Sequence, residues 1–341
     1  MNVFELTRAL VDVDSTTGQE LRVGEWLFER LSRLADAHQG QIERMSAAPN
    51  RDNVFVSFGK PVVTLSTHMD TVPPFFGSSE DEEHIHGRGS CDAKGIIAAM
   101  MAAAESLLAS GVRDFALLFV VGEERDSLGA KAAAEMARGS RFLINGEPTE
   151  NRLAVGSKGA LRYELVARGK LAHSAYPELG SSAIHSLLDA LQGIRSITLP
   201  VDAVLGRTTL NVGLISGGRA PNVVADEAGA EIMFRIVGDP AELRRQVSDI
   251  AGKHKIIARE LLYTPAVRLA SLPGYATCVV AFTTDIPGFN GTWGQPLLIG
   301  PGSIHVAHTA QERISKKELS EAVEIYAGMV RHLLAGGEIA S

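Results

Sequence analysis

VVTLSTHMDTVPP, residues 62–74, begins as a β-strand and stops at two polar residues, His68 and Asp70, one residue apart. Its first half is rich in Val, Leu and Thr, which suit a buried strand, and its end carries the prolines that close one. His and Asp are also ordinary turn residues. Their meaning therefore rests on what the chain places at comparable points elsewhere.

Working outward, residues 21–37 (LRVGEWLFERLSRLADA) repeat apolar positions at helical spacing, and NVFVSF at 53–58 reads as a strand. Downstream come an Ala-rich helix (KGIIAAMMAAAESLLAS), an apolar strand (DFALLFVVG), a helix (LGAKAAAEMAR) and a strand (RFLING). This alternation predicts an α/β fold, with a mostly parallel sheet covered by helices. Beyond about Gly156 the texture changes. ALRYELVARG and AEIMFRIVG alternate apolar and polar residues, as half-solvated strands do, and SSAIHSLLDALQGI and PAELRRQVSDIAGKH have helical spacing. The first texture returns from about Pro265 and closes in the helix SKKELSEAVEIYAGMVRHLLAGG. The predicted organisation is a discontinuous αβα domain, 1–156 and 266–341, with a compact α+β insertion at 157–265.

Composition narrows the class. With 33 Lys+Arg against 40 Asp+Glu, the net charge of −7 disfavours a nucleic-acid partner, and no basic cluster reverses it locally. No apolar run is long enough to span a membrane, and the acidic N-terminus does not read as a signal peptide. Two cysteines, Cys91 and Cys278, cannot build a disulfide framework, which suits a reducing compartment. The expectation is a cytoplasmic enzyme or binding protein with a small-molecule partner.

Open α/β sheets bind ligands at the carboxyl ends of their strands. Polar residues recur there: His68 and Asp70 after VVTLST, Glu123 and Glu124 after FALLFVVG, and Glu147 after RFLING. Asp92 ends HGRGSCD just before a helix, and His308 lies in GPGSIHVAHTAQE. Singly, each has a bland explanation: a turn histidine, a helix N-cap at Asp92, a solvated Glu pair. Together, two histidines and three carboxylates are the donor set that a pair of borderline divalent ions needs.

STHMDTVPP, HGRGSCDAKG, VVGEERDSLGAK, INGEPTE, GSKGALRYELVARGKLAHSA and IGPGSIHVAHTAQE resemble, in order and over nearly the whole chain, the motifs of the di-zinc aminoacylase/peptidase superfamily. The nearest branch by this resemblance is the acetylornithine deacetylase / succinyl-diaminopimelate desuccinylase group. It implies two Zn²⁺ per subunit, with Co²⁺ as a substitute. His68 and Glu147 would hold one ion, His308 and Glu124 the other, and Asp92 would bridge them. Asp70 would accept a hydrogen bond from the free ring nitrogen of His68, and Glu123 would be the general acid/base. The insertion would be a lid and dimerisation domain, whose His173 steadies the oxyanion across a homodimer. Asn222, Arg235 and Gly302 would contact substrate, with Arg235 pairing a carboxylate. Ala225 stands where the family has Pro. Thr284 and Asp285 match its Ser/Thr-Asp segment. His84, His86, His185 and His305 match no ligand motif, and Cys91 reads as packing.

The implied activity is removal of an N-acyl group from an amino acid, acetylornithine deacetylase being the best single match. A dipeptidase or exopeptidase, or an enzyme releasing lysine or ornithine from a carrier protein, is the alternative on the same scaffold. A non-catalytic metal-binding protein on the same fold is the alternative of another class.

Overall fold

The computed structural model describes residues 1–340. It divides into two compact units: Met1–Val155, Arg268–Cys278 and the chain from Thr284 form the first, and Gly156–Val267 with Val279–Thr283 form the second. Helix α1 (Val3–Val11) opens on a capping box, in which Asn2 accepts from the Phe4 and Glu5 amides and Glu5 accepts from the Asn2 amide. Helix α2 (Leu21–His38) buries Val23, Leu27, Leu31 and Ala35, a stripe at four-residue spacing, and ends where Gln39 turns left-handed at φ 57°. Strands β1 (Gln41–Ala48) and β2 (Arg51–Phe58) form an antiparallel hairpin, with Asn50 at φ 61° in the turn. There follow β3 (Val63–His68), β4 (Ser79–Glu80), β5 (His84–His86), α3 (Lys94–Ala109), β6 (Phe115–Val120), α4 (Leu128–Ala134), β7 (Phe142–Asn145) and β8 (Leu153–Ser157).

The second unit holds β9 (Gly159–Arg168), α5 (Ala183–Arg195), β10 (Val201–Asp202), β11 (Gly206–Arg207), β12 (Thr209–Gly217), β13 (Glu227–Ile236), α6 (Ala241–Lys253) and β14 (Ile256–Thr264). The chain ends through β15 (Val267–Arg268), β16 (Thr277–Val280), β17 (Gln295–Leu298), β18 (Arg313–Ser315) and α7 (Lys316–Leu334).

The large sheet runs β1-β2-β6-β3-β7-β17-β8-β15. Its centre, β6-β3-β7-β17, is parallel, while the β1–β2 hairpin, the β2–β6 pair and β8 beside β17 are antiparallel. Every residue of β3, β6 and β7 is buried, as expected of parallel strands covered on both faces. Alternation along β6 sorts the layers. Phe115, Leu117 and Phe119 join the core with α1, α2, α3 and α7, whereas Ala116, Leu118 and Val120 face Ala130 and Ala133 of α4 with Phe289 and Trp293. Truncating Phe119 to Ala in such packing costs about 3–5 kcal/mol.

The second unit follows the order β9-α5-β12-β13-α6-β14, and its antiparallel sheet is ordered β12-β13-β9-β14. That is the βαββαβ pattern of the ferredoxin-like split βαβ motif. Leu161, Tyr163 and Leu165 of β9 and Ile232, Phe234 and Ile236 of β13 face α5 and α6, each at alternate positions. Residues 279–283 join this unit, rather than the domain to which the sequence reading assigned them. The Lys158 amide donates to the Val280 carbonyl at 3.1 Å and the Ser157 hydroxyl to the Phe282 carbonyl at 2.6 Å.

Candidate metal centre

The carboxyl ends of the four parallel strands carry the predicted residues. His68 ends β3, Glu123 and Glu124 follow β6, Glu147 follows β7, and the loop after β17 leads to His308. Because β6, β3, β7 and β17 are neighbours with matched polarity, four loops distant in sequence open on one side of the sheet. Asp92 lies two residues before α3, yet it does not cap that helix. The N-cap position is Ala93, and no side chain caps it. The bland reading of Asp92 therefore lapses.

His68 is 1% exposed. Its Nδ1 lies 3.0 Å from the main-chain oxygen of Asp70 and 3.5 Å from the Asp70 carboxylate. The main-chain carbonyl is the nearer acceptor, and the carboxylate of Asp70 stands beside it at the same ring nitrogen. That carboxylate has further partners. Oδ1 accepts from the Glu123 amide at 3.1 Å, and Oδ2 accepts from the Glu124 amide at 3.3 Å and the Thr17 hydroxyl at 2.8 Å. One buried carboxylate thus pins two consecutive amides and sets the directions in which the two glutamates leave the loop. Thr17 is a contributor that the sequence reading missed. STTG at 15–18 looks like any polar turn, and only the fold brings it to Asp70.

With Nδ1 donating to a carbonyl, His68 Nε2 turns its other valence to Asp92 Oδ1 at 2.9 Å. His308 Nε2 lies 2.9 Å from Glu124 Oε2 and 3.3 Å from Asp92 Oδ2. The ligand atoms of His68, Asp92 and Glu124 all lie within 4.8 Å of one another. Glu147 is 3% exposed, and its Oε1 is buried without a hydrogen-bond partner. Both carboxylate oxygens of Asp285 are likewise buried and unpartnered.

Burial first, then the charge of Glu147, pushes the Glu123 carboxyl well above its usual range. Burial also raises Glu147 well above that range, and burial with the Asp92 charge raises Glu124. Burial alone would lower the His68 pKa, but the hydrogen bonds to Asp70 and Asp92 and the charges of Asp92 and Glu147 outweigh it and hold it well above normal. Asp92 and Glu124 raise His308 to about 10. Imidazole nitrogens facing carboxylates, among acids lacking counter-charge, are stable only with added protons or with cations among them. The donor set of two imidazoles and three carboxylates, including the orphaned Glu147 oxygen, fits divalent ions.

Gly302 adopts φ +89°, and a Cβ there would lie 2.6 Å from Cys91 Sγ; a Cβ on Gly300 would lie 2.6 Å from the Glu147 carbonyl. What crowds both glycines is protein, and Cys91 packs as expected. Thr284 and Asp285 are buried in the first unit.

His173, Asn222 and Arg235 belong to the second unit. His173 pairs with Val223 in an isolated bridge, and the Ser174 amide donates to the Asn222 carbonyl at 3.0 Å, so the structure brings His173 and Asn222 together. Both are exposed. His173 Nδ1 accepts from the Ala175 amide at 3.1 Å, which leaves Nε2 as the protonated donor nitrogen. Arg235 is half-buried with no carboxylate partner among the described residues, and its pKa is lowered by burial alone.

The fold and this donor cluster define a metal-dependent hydrolase. The model of peptidase family M20/M25/M40 matches residues 64–332, and the chain belongs to that family, whose members cut linear amide or peptide bonds. A peptidase M20 domain-containing protein of Schizosaccharomyces pombe is 37% identical over 98% of this chain and 85% of its own length. A probable carboxypeptidase of Aspergillus niger is 34% identical over 95% of this chain and 88% of its own. Among solved structures, an M20 family metallo-carboxypeptidase from Sulfolobus solfataricus matches in fold with a TM-score of 0.78 at 17% identity, covering 97% of this chain and 99% of that one. No helix among the described residues is long and apolar enough to cross a membrane.

Proposed function

We propose that the protein is a two-zinc exopeptidase of carboxypeptidase type that removes the C-terminal residue of a short peptide bearing a free carboxylate. The similarity to curated relatives named probable carboxypeptidases, over 95% or more of the chain, supports this reading above the acetylornithine deacetylase expected from the sequence. The observation that carries the chemistry is the surplus carboxyl. Glu123 lies beside Glu124 on a loop whose two amides Asp70 holds, and the cluster of ligand atoms is met without it.

His68 with Glu147 and His308 with Glu124 would hold one ion each, and Asp92 would serve both. Zinc suits these imidazole and carboxylate donors, with cobalt as its usual stand-in. When bound, such a pair supplies Lewis acidity toward a water molecule and the scissile carbonyl. Glu123 then takes the water's proton and returns it to the departing amine. His173, with Nε2–H free to donate, would steady the oxyanion from a second subunit of a homodimer, and Asn222 beside it would contact substrate. Arg235, withdrawn from water without a carboxylate of its own, would take the substrate's terminal carboxylate. Two free thiols are consistent with a cytoplasmic site of action.

A panel of N-blocked dipeptides and tripeptides, their C-terminal amides, N-acetylornithine and other N-acyl amino acids tests the reading. Release of C-terminal residues from free-acid peptides, with the amides refused, is the expected result. A kcat/KM for N-acetylornithine above that of every peptide overturns it. Arg235→Met should raise KM for free-acid peptides about tenfold to a hundredfold while leaving kcat nearly unchanged.

A further inference from the structure

We infer that Glu312 is a positioning residue for the metal centre, holding the Asp92 loop and the His308 loop in one geometry. It closes the stretch GPGSIHVAHTAQE, four residues past His308, and has no ligand role. Its side chain is 0% exposed and carries an unusual number of donors. Oε1 accepts from the amides of Gly89 at 2.9 Å, Cys91 at 3.2 Å and Asp92 at 3.1 Å. Oε2 accepts from Arg88 Nη1 at 2.5 Å, and the main-chain oxygen of Glu312 accepts from the Gly87 amide at 3.1 Å. Arg88, 2% exposed, is itself fixed, with Nε donating to the Pro74 carbonyl at 3.2 Å and the guanidinium 5.0 Å over the Phe76 ring.

Three amides converging on one oxygen form a concave anion site of the kind that loops often offer to a ligand, and here the chain fills it with its own carboxylate. The consequence is a closed ring between the two loops. Asp92 meets His308 through its side chain at 3.3 Å and donates its amide to Glu312 Oε1 at 3.1 Å. The segment from His308 to Glu312 is thereby fastened to Asp92 at both ends, and the second fastening is independent of metal. A bridging carboxylate must present its two oxygens in different directions, and small rotations of its backbone spoil both. Glu312 limits that rotation by holding the amide of Asp92 itself. Arg88 compensates the buried charge, without which a carboxylate in this position would be costly.

This inference rests on the two-metal reading above, and the test separates the two. Metal-free wild-type protein is titrated with Zn²⁺ and with Co²⁺ against a competing chelator, and the visible spectrum of bound Co²⁺ is recorded. Wild type should bind two ions. Glu312→Gln should weaken binding roughly tenfold, and Glu312→Ala up to about a hundredfold, with altered Co²⁺ bands. Arg88→Met should act in the same direction but less. Should the Glu312 variants fail to fold, Arg88→Met carries the titration. Hydrogen exchange in metal-free wild type then reads the ring directly, with slow exchange at the Gly89, Cys91 and Asp92 amides expected. Wild-type affinity and an unchanged Co²⁺ spectrum in the folded variants overturn the inference, as does fast exchange of those three amides. Failure of wild type to bind metal overturns the two-metal reading instead, and this inference with it.

Discussion

On the outer face of the second unit's sheet, Arg162 pairs with Glu231, Arg168 with Glu227 at 2.9 Å and Arg259 with Glu164 at 3.1 Å, and all six side chains reach water. In the first unit, Glu147 after β7 and Asp285 are buried with unpartnered oxygens, and the charges of Glu147 and Asp285 act on Glu123. The same residue types thus serve opposite purposes. Wet, paired charges on a sheet face keep an amphipathic surface soluble and register the strands, at little energetic stake. Dry acids with few hydrogen-bond partners are held in place by the fold around them, and a cluster of them marks a candidate binding site. Arg235 belongs by position to the first kind and by its lack of a carboxylate partner to the second, which is the ground on which we propose it as a substrate contact.

The sharpest way to break this contrast is to remove what the dry acids hold. Asp92→Asn should abolish both metal stoichiometry and turnover, measured by elemental analysis and peptide hydrolysis. Chelation of wild type should do the same reversibly and lower the melting temperature by several degrees, since a ligand at a hundredfold excess over its Kd stabilises by about 2.7 kcal/mol. Two ions retained by a folded Asp92→Asn variant would unseat Asp92 from its role.

Next in size is Glu123→Gln. The metal content should stay at the wild-type value while kcat falls roughly 10²- to 10⁴-fold, because only the proton relay is lost. Turnover near wild type would return Glu123 to the class of ordinary buried acids.

A pH series sharpens the contrast in the metal-free protein. Burial, above all, raises Asp285 from its ordinary 3.8 to about 7. Between those values the folded state keeps a proton that the unfolded state has lost, so stability falls as pH rises across that window. Asp285→Asn should flatten this part of the curve, by an amount on the order of a few kcal/mol, read from denaturant midpoints at pH 4 to 8. Parallel wild-type and variant curves would refute it.

The smallest effect is expected on the wet face. Arg168 and Glu227 are 65% and 57% exposed, and Glu227→Gln should change stability by less than about 1 kcal/mol and leave kcat alone. A larger loss would mean that the second unit's charges are not the passive set described above.

Much of this is legible in the sequence. The buried parallel strands announce themselves as apolar runs, and the amphipathic helices by their spacing, because both patterns are local. Strand β1 is not legible, since only Met45 among its eight residues is buried and it offers no apolar run. Strand β14 is an edge whose apolar residues Ile257, Leu261 and Leu262 stay exposed, so its pattern contradicts its state. Nor did the sequence disclose that Val279–Thr283 would join the second unit, a matter of two hydrogen bonds to Lys158 and Ser157.

By itself the sequence determined which polar residues stand at strand ends, because a strand's end is marked within a few residues by loss of apolar character and by turn formers. His68, Glu123, Glu124 and Glu147 stand out on that ground, and Asp92 and His308 by resemblance. Only the tertiary structure decided how they meet: that Asp70 spends its carboxylate on the Glu123 and Glu124 amides, that Thr17 reaches it from 53 residues away, and that Glu312 ties Asp92 to the His308 loop across 220 residues. Hydrogen bonds between loops depend on strand order and register, which are global properties of the sheet, and no local pattern encodes them.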